Sequence, residues 1–408
     1  MNQVATIERQ RVRRRFLASG LEAGTAPEDR KFRPDVEGLR AVAILLVVLY
    51  HAGVPPFHGG YVGVDVFYVI SGFVITGLLL RERTTRGRTS LISFYARRCR
   101  RILPAAALVT IATVAATYHW LGFIRGGEVV HDARAAALFV ANFHFISLGT
   151  NYLTAQRPAS PLQNLWSLSV EEQFYLVYPT FFAVIAALSW WKTLRVRLAA
   201  GLVLVIAASF AWSVYQTPTS QIAAYFSPLT HAWELALGAL VAVVTGALAS
   251  MPRRFAAAST WIGLAAIAVS GIVFTDATRY PGWVVALPVV GTAAVIAGGA
   301  AIPRLGAESI LGRRPMQWLG KLSYSFYLWH WPLLAIAAEY AGHDLPLTTS
   351  LMWVAVALAL SAVTFALIED PVRKARPLSR RPIMSIALGG VLTAAVLGVA
   401  AFELRTNP

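Results

Sequence analysis

Cysteine is almost missing: Cys99 stands alone among 408 residues, so no disulfide framework within the chain is available to hold a fold together. Charge is scarce too. Charged residues make up 14% of the chain, too few to clothe a water-soluble globule, which usually carries roughly a quarter. Acidic residues are the scarcer sign, 20 against 36 Lys and Arg. The resulting net charge of +16 raises the question of nucleic acid. The basic residues, however, sit in short blocks between apolar runs, the pattern of cytoplasmic loops, so no nucleic-acid partner is expected. Alternation of apolar and polar residues is absent from those runs, which argues against a closed β-barrel. No cleavable apolar stretch follows the N-terminal basic cluster, making it a poor signal peptide. No internal repeat divides the apolar segments into matching halves, which weighs against a repeat-type transporter.

What the chain has in abundance is apolar sequence. Hydrophobic residues are 57% of it, and the mean hydropathy is +0.58. Runs of about 20 apolar residues recur, the length a helix needs to cross roughly 30 Å of hydrocarbon. A helix also satisfies its own backbone where no water can. The expected fold is all-α, a polytopic transmembrane helical bundle in the plasma membrane. The expected spans are 38–54, 61–80, 102–123, 168–189, 198–215, 229–248, 257–274, 283–301, 318–340, 349–368 and 383–402.

Segment 133–149, with Asn142, His144 and Ser147, is ambiguous by hydropathy. With the N-terminus in the cytoplasm, basic loop 81–101 lies inside. If 133–149 does not cross, the blocks at 192–197, 253–254, 313–314 and 373–381 also fall inside. Loops 55–60, 216–228, 275–282 and 341–348, nearly free of Lys and Arg, are then outside. The segment is therefore expected to be re-entrant or interfacial. That gives about eleven crossings and an outer C-terminus. Residues 1–33 read as a basic, mostly disordered cytoplasmic tail touching anionic lipid. Residues 34–373 read as the membrane domain, and 374–408 as linker, extra helix and outer stub. Cys99, within Arg97–Arg101, reads as an incidental reduced thiol at the cytoplasmic face.

An ionisable group mid-span costs roughly 2.5–3.5 kcal/mol and needs a partner or a cavity. The first span holds Arg40 and His51, eleven residues and hence ~16 Å apart along a helix. Asp65 opens the second span, Glu171 and Glu172 open the fourth, and His231 with Glu234 open 229–248. His330 sits mid-span between Trp329 and Trp331. The parity argument sends His51, Asp65, Glu171, Glu172, His231 and Glu234 to one outer region, opposite Arg40, Arg97, Arg98, Arg100 and Arg101 at the inner surface. A basic mouth facing a His/carboxylate pocket suits an anionic ligand entering from the cytoplasm, with His51 as the natural base. Plainer readings stand beside this one. The arginines serve equally as topology determinants, Glu171 and Glu172 as helix-start carboxylates, Asp65 as a cap, and His330 or His51 as packed histidines.

The stretch Gly38-Leu39-Arg40 through His51 resembles the first-helix signature of the membrane acyltransferase family 3. Gly59-Gly60-Tyr61-Val62-Gly63-Val64-Asp65 through Phe73 is similar to its second-helix signature, and Phe94 through Pro104 to its basic motif. Trp166-Ser167-Leu168-Ser169-Val170-Glu171-Glu172 and Ser323-Tyr324-Ser325 through Pro332 complete the set, covering about 33–373. The resemblance implies a ten-helix acyltransferase core plus one extra C-terminal helix. It also implies acetyl-CoA or another acyl-CoA as donor, no metal, and a glycan or glycosylated small molecule as acceptor.

Residue by residue, it implies that Arg40, Arg98 and Arg101 hold the donor and that His51 is the base or a transient acyl carrier. Ser167 and Glu171 match a Ser-x-x-x-Glu motif that supports the site or binds acceptor, and in the catalytic reading Glu171 or a neighbour orients the His51 imidazole. Ser167, Asp65, Glu172, Glu234 and His330 would support the site or bind acceptor. His231 stands where the family often has Arg, so it is not assigned a catalytic role. In many relatives the extra helix leads to an outer SGNH-type domain. The sequence given ends soon after that helix; if it is complete, any acyl relay needs another protein, a separate SGNH-type or envelope-assembly partner, or does not occur. The rival reading is a proton-coupled transporter or glycolipid flippase using the His/carboxylate groups as a relay.

Overall fold

A computed structural model describes residues 33–150, 158–189, 191–303 and 305–406. The tail expected to be disordered lies almost wholly outside them. Among the described residues the chain is helical and has no strands. Four helices open the membrane domain: α1 (Pro34–His51), α2 (Gly63–Arg86), α3 (Leu91–Ala137) and the short α4 (Ala141–Ser147). The middle of the chain forms α5 (Leu165–Ala187), α6 (Trp191–Thr219), α7 (Gln221–Phe226), α8 (Pro228–Leu248), α9 (Arg253–Val273) and α10 (Ala286–Ala300). After α11 (Glu308–Leu311) come α12 (Arg314–Ala341) and α13 (Leu347–Thr364), which continues as a π-turn, Phe365–Glu369. The short α14 (Asp370–Lys374) and α15 (Arg376–Arg380) lead to α16 (Pro382–Thr406).

Each expected span lies mostly within one of these helices. Seven helical segments of the described residues are long and apolar enough to cross a membrane, which makes this a multi-pass membrane protein. The helices carrying Arg40 with His51, Glu171 with Glu172, and His330 are not among the seven. Polar and charged residues lower the hydropathy of these three helices.

Segment 133–149 is not one helix. The end of α3 stops at Ala137, Phe139 turns the chain at φ 54°, and α4 has seven residues. Seven residues rise about 10 Å, too short to cross. Upstream, α3 is broken at Gly122, where φ 84° and ψ 179° suit a residue without a Cβ. The turn delivers Arg125 to Glu339 at the far end of α12, 2.8 Å from Nε to Oε1.

Two close approaches place the interior. At the crossing of α2 and α8, a Cβ on Gly72 would lie 1.8 Å from the carbonyl oxygen of Leu235, and one on Gly238 1.9 Å from that of Val69. Only glycine lets these backbones touch. Seven residues, about two turns, back along each helix stand Asp65 on α2 and His231 on α8. Elsewhere α16 lies along α3, with Arg100 near Ser385 at one end of the contact and Tyr118 near Glu403 at the other. Arg100 Nη1 donates to the carbonyl of Leu378 (2.6 Å) and to Ser385 Oγ (2.9 Å). Cys99, expected as an incidental thiol at the cytoplasmic face, meets Gly389 of α16: a Cβ there would sit 3.1 Å from its Sγ.

Candidate active site

His51 ends α1 and His330 lies mid-way along α12, yet their rings meet. His51 Nδ1 is 3.0 Å from His330 Nε2, and the rings stack at 5.2 Å between centroids. Trp331 covers His51 at 4.6 Å and is itself held by its Nε1 donating to the carbonyl of Ser160. His330 is fully buried, whereas His51 is only partly so.

The hydrogen-bond chain assigns the protons. His330 Nδ1 faces the carbonyl oxygens of Tyr327 (2.8 Å) and Phe326 (3.1 Å). A carbonyl only accepts, so Nδ1 carries the hydrogen and the neutral ring presents a lone pair at Nε2. His51 must then donate from Nδ1, which makes Nε2 its basic nitrogen.

The frame behind His330 comes from α5. Asn164 Nδ2 donates to the carbonyl of Tyr327 (2.8 Å), and the Tyr327 hydroxyl donates to the carbonyl of Asn164 (2.9 Å). Ser167 Oγ is 2.7 Å from the same phenol. Ser167 therefore touches the site through Tyr327, one turn before His330. Asn164 and Tyr327 were not singled out from sequence, although Tyr327 falls inside a motif quoted for its resemblance.

The three arginines expected at the other end of α1 do come together. Arg40 Nη2 donates to Ser323 Oγ of α12 (2.8 Å) and lies 3.8 Å from Glu37. Arg101 is within electrostatic reach of both Arg40 and Arg98. Among the described residues it makes no ion pair or hydrogen bond of its own. Arg98 is the buried member, 2.6 Å from Glu172 Oε1, 3.8 Å from Glu171 Oε1 and 3.9 Å above the ring of Tyr175. Glu369, buried at the π-turn, accepts from Ser325 Oγ at 2.7 Å and faces Arg40 and Arg101 electrostatically. This carboxylate escaped notice because it follows an apolar run and matches no quoted motif.

The expectation of one shared His/carboxylate region does not hold. Glu171 accepts from Ser71 Oγ (2.7 Å) and the Tyr175 hydroxyl (2.6 Å), beside Arg98. Of the two candidates expected to orient the His51 imidazole, Glu171 or a neighbour, the group in contact with it is a neighbour, His330. Both glutamates sit in the second turn of α5, which begins at Leu165, so each reaches a guanidinium deeper in the bundle.

Asp65, His231 and Glu234 form a third, separate group, fully enclosed. Asp65 is no cap: the helix is capped at Val62, and the Asp65 carboxylate accepts from the Tyr280 hydroxyl. Tyr280 lies in an irregular connection whose sequence carried no signal.

The acyltransferase domain family matches residues 33–368 of this chain. Peptidoglycan O-acetyltransferase OatA of Listeria monocytogenes is 30% identical over 366 residues, covering 86% of this chain and 57% of that protein. O-acetyltransferase OatA of Staphylococcus aureus is 27% identical over 355 residues, 84% of this chain and 58% of that protein. The chain thus spans less than three fifths of the length of these relatives. No solved structure matches it.

Proposed function

The chain belongs to the acyltransferase domain family, and from that premise we propose that it moves an acyl group, acetyl in the first instance, from acyl-CoA to a hydroxyl of a glycan or glycosylated acceptor. The observation that carries this reading is the His51–His330 pair at 3.0 Å, with an arginine cluster at the opposite end of α1. A donor whose phosphates rest among Arg40, Arg98 and Arg101 has its thioester ~16 Å further along the helix axis, the span of an extended pantetheine arm. Guanidinium forks suit phosphate oxygens, and among the described residues no carboxylate is in ion-pair contact with Arg101.

The acceptor hydroxyl gives its proton to His51 Nε2 as its oxygen attacks the thioester carbonyl. The C–S bond breaks, and the leaving thiolate takes that proton from the imidazolium, releasing coenzyme A and the ester. His330 Nε2 holds the His51 N–H throughout and steadies the imidazolium. Glu171 and Glu172 act on Arg98, keeping its guanidinium turned toward the donor. Relatives named as peptidoglycan O-acetyltransferases favour a wall or surface glycan as acceptor. The positive-inside distribution favours a cytoplasmic donor and an N-terminus inside.

The test is release of coenzyme A and labelling of acceptor in membranes given radiolabelled acetyl-CoA. His51→Ala, inserted at wild-type level, is expected to lower transfer by at least about 100-fold. Substantial remaining transfer in that variant, or proton-coupled flux without coenzyme A release, would overturn the assignment.

A further inference from the structure

The third group of ionisable residues takes no part in the mechanism above, and its hydrogen bonds do not balance. Asp65 on α2 and His231 with Glu234 on α8 are 2%, 1% and 0% exposed. One nitrogen and two carboxylate oxygens, one from each residue, lie within 4.8 Å of one another. His231 Nε2 is 2.8 Å from the carbonyl oxygen of Tyr225, so that nitrogen carries the hydrogen. The lone pair on Nδ1 is thereby turned on Glu234 Oε1 at 2.8 Å and Asp65 Oδ1 at 3.8 Å. Three electron-rich atoms facing each other repel unless something positive lies between them. Glu234 Oε2, also buried, has no hydrogen-bond partner among the described residues. Neither carboxylate has a Lys or Arg within ion-pair distance there.

We propose that Asp65, His231 and Glu234 bind one divalent transition-metal ion, of the Zn2+ class. An imidazole nitrogen with two carboxylates is a ligand set such ions accept. One doubly charged ion neutralises both carboxylates and also occupies the lone pair of Nδ1. Without the ion, neutralising both carboxylates inside the membrane, where ionised groups are costly, takes two protons, one on each. The surrounding bonds are those that support metal ligands: a backbone carbonyl fixes the His231 tautomer, and the Tyr280 hydroxyl holds the other face of Asp65. The ion ties α2, α8 and the connection between α9 and α10 into one unit, a structural role apart from the His51 site.

The experiment uses the full chain purified in detergent without chelator or polyhistidine tag. Elemental analysis is expected to find about one zinc-class ion per chain. Stripping with a chelator lowers the melting temperature by several degrees, and added Zn2+ restores it. Asp65→Asn and Glu234→Gln each abolish the restoration and reduce bound metal more than tenfold. The wild-type measurement stands even if a variant fails to fold. Wild-type protein that holds no metal and whose melting temperature ignores Zn2+ would show the cluster neutralised by protons and overturn the proposal. Zn2+ binding undiminished in both variants would overturn it equally.

Discussion

His51 stands out in sequence because an imidazole is rare in an apolar run, but the residue that tunes it was legible only as a second such oddity. Nothing in Tyr327-Leu328-Trp329-His330 says that its ring points at Nδ1 of a residue 279 positions away. In the proposed mechanism His330 is a positioning residue with a specific demand, a lone pair at the far end of its side chain. His330→Ala removes that acceptor and is expected to lower kcat about 100-fold with little change in KM. His330→Gln, whose amide oxygen also accepts, should recover part of the rate. Equal rates for the two variants would argue for a packing role. Glu172 carries the second residue-scale expectation. Glu172→Ala leaves the buried Arg98 guanidinium with Glu171, 3.8 Å away, in place of its 2.6 Å partner and should destabilise the protein by roughly 3 kcal/mol, read as a lower melting temperature in detergent.

Helix positions followed from apolar runs, because the need to satisfy backbone groups in lipid is a local constraint. Helix neighbours did not follow, since lipid-facing and protein-facing sides of a span are both apolar. Gly72 and Gly238 look like ordinary small residues until the 1.8 and 1.9 Å approaches show that no Cβ fits. Gly72→Leu is expected to force α2 from α8 and sharply reduce the yield of monodisperse protein, whereas Gly77→Leu, with open space around it, should be tolerated. The docking of α16 on α3 has a cleaner readout. Cys99 is the only cysteine, and a Cβ at position 389 lies 3.3 Å from its Cβ, close to the separation a disulfide requires. Gly389→Cys should cross-link to Cys99 under mild oxidant. The readout is a reducible change in mobility; its absence would mean α16 packs elsewhere.

At the scale of the molecule, the orientation proposed above rests on the charge pattern. Blocks of Lys and Arg alternate with nearly uncharged loops, and 133–149 breaks into pieces too short to cross. Alkaline phosphatase, active only outside the cytoplasm, should therefore be active when fused after Phe57 or after Arg405, and inactive after Gly87. Activity after Gly87 would invert the arrangement and move the arginine cluster away from the coenzyme A pool.

The sequence alone determined that this chain is an all-α multi-pass membrane protein, and it singled out Arg40, His51, Arg98, Arg101 and His330. Hydropathy and out-of-place charge are properties of single residues and short windows, readable without coordinates. Tertiary structure alone decided the grouping. It placed Glu171 beside Arg98, joined His51 to His330, and brought Asp65, His231, Glu234 and Tyr280 into one buried cluster. The reason is physical: which buried polar groups meet depends on helix rotation and on where glycines let backbones touch, and apolar periodicity in lipid records neither.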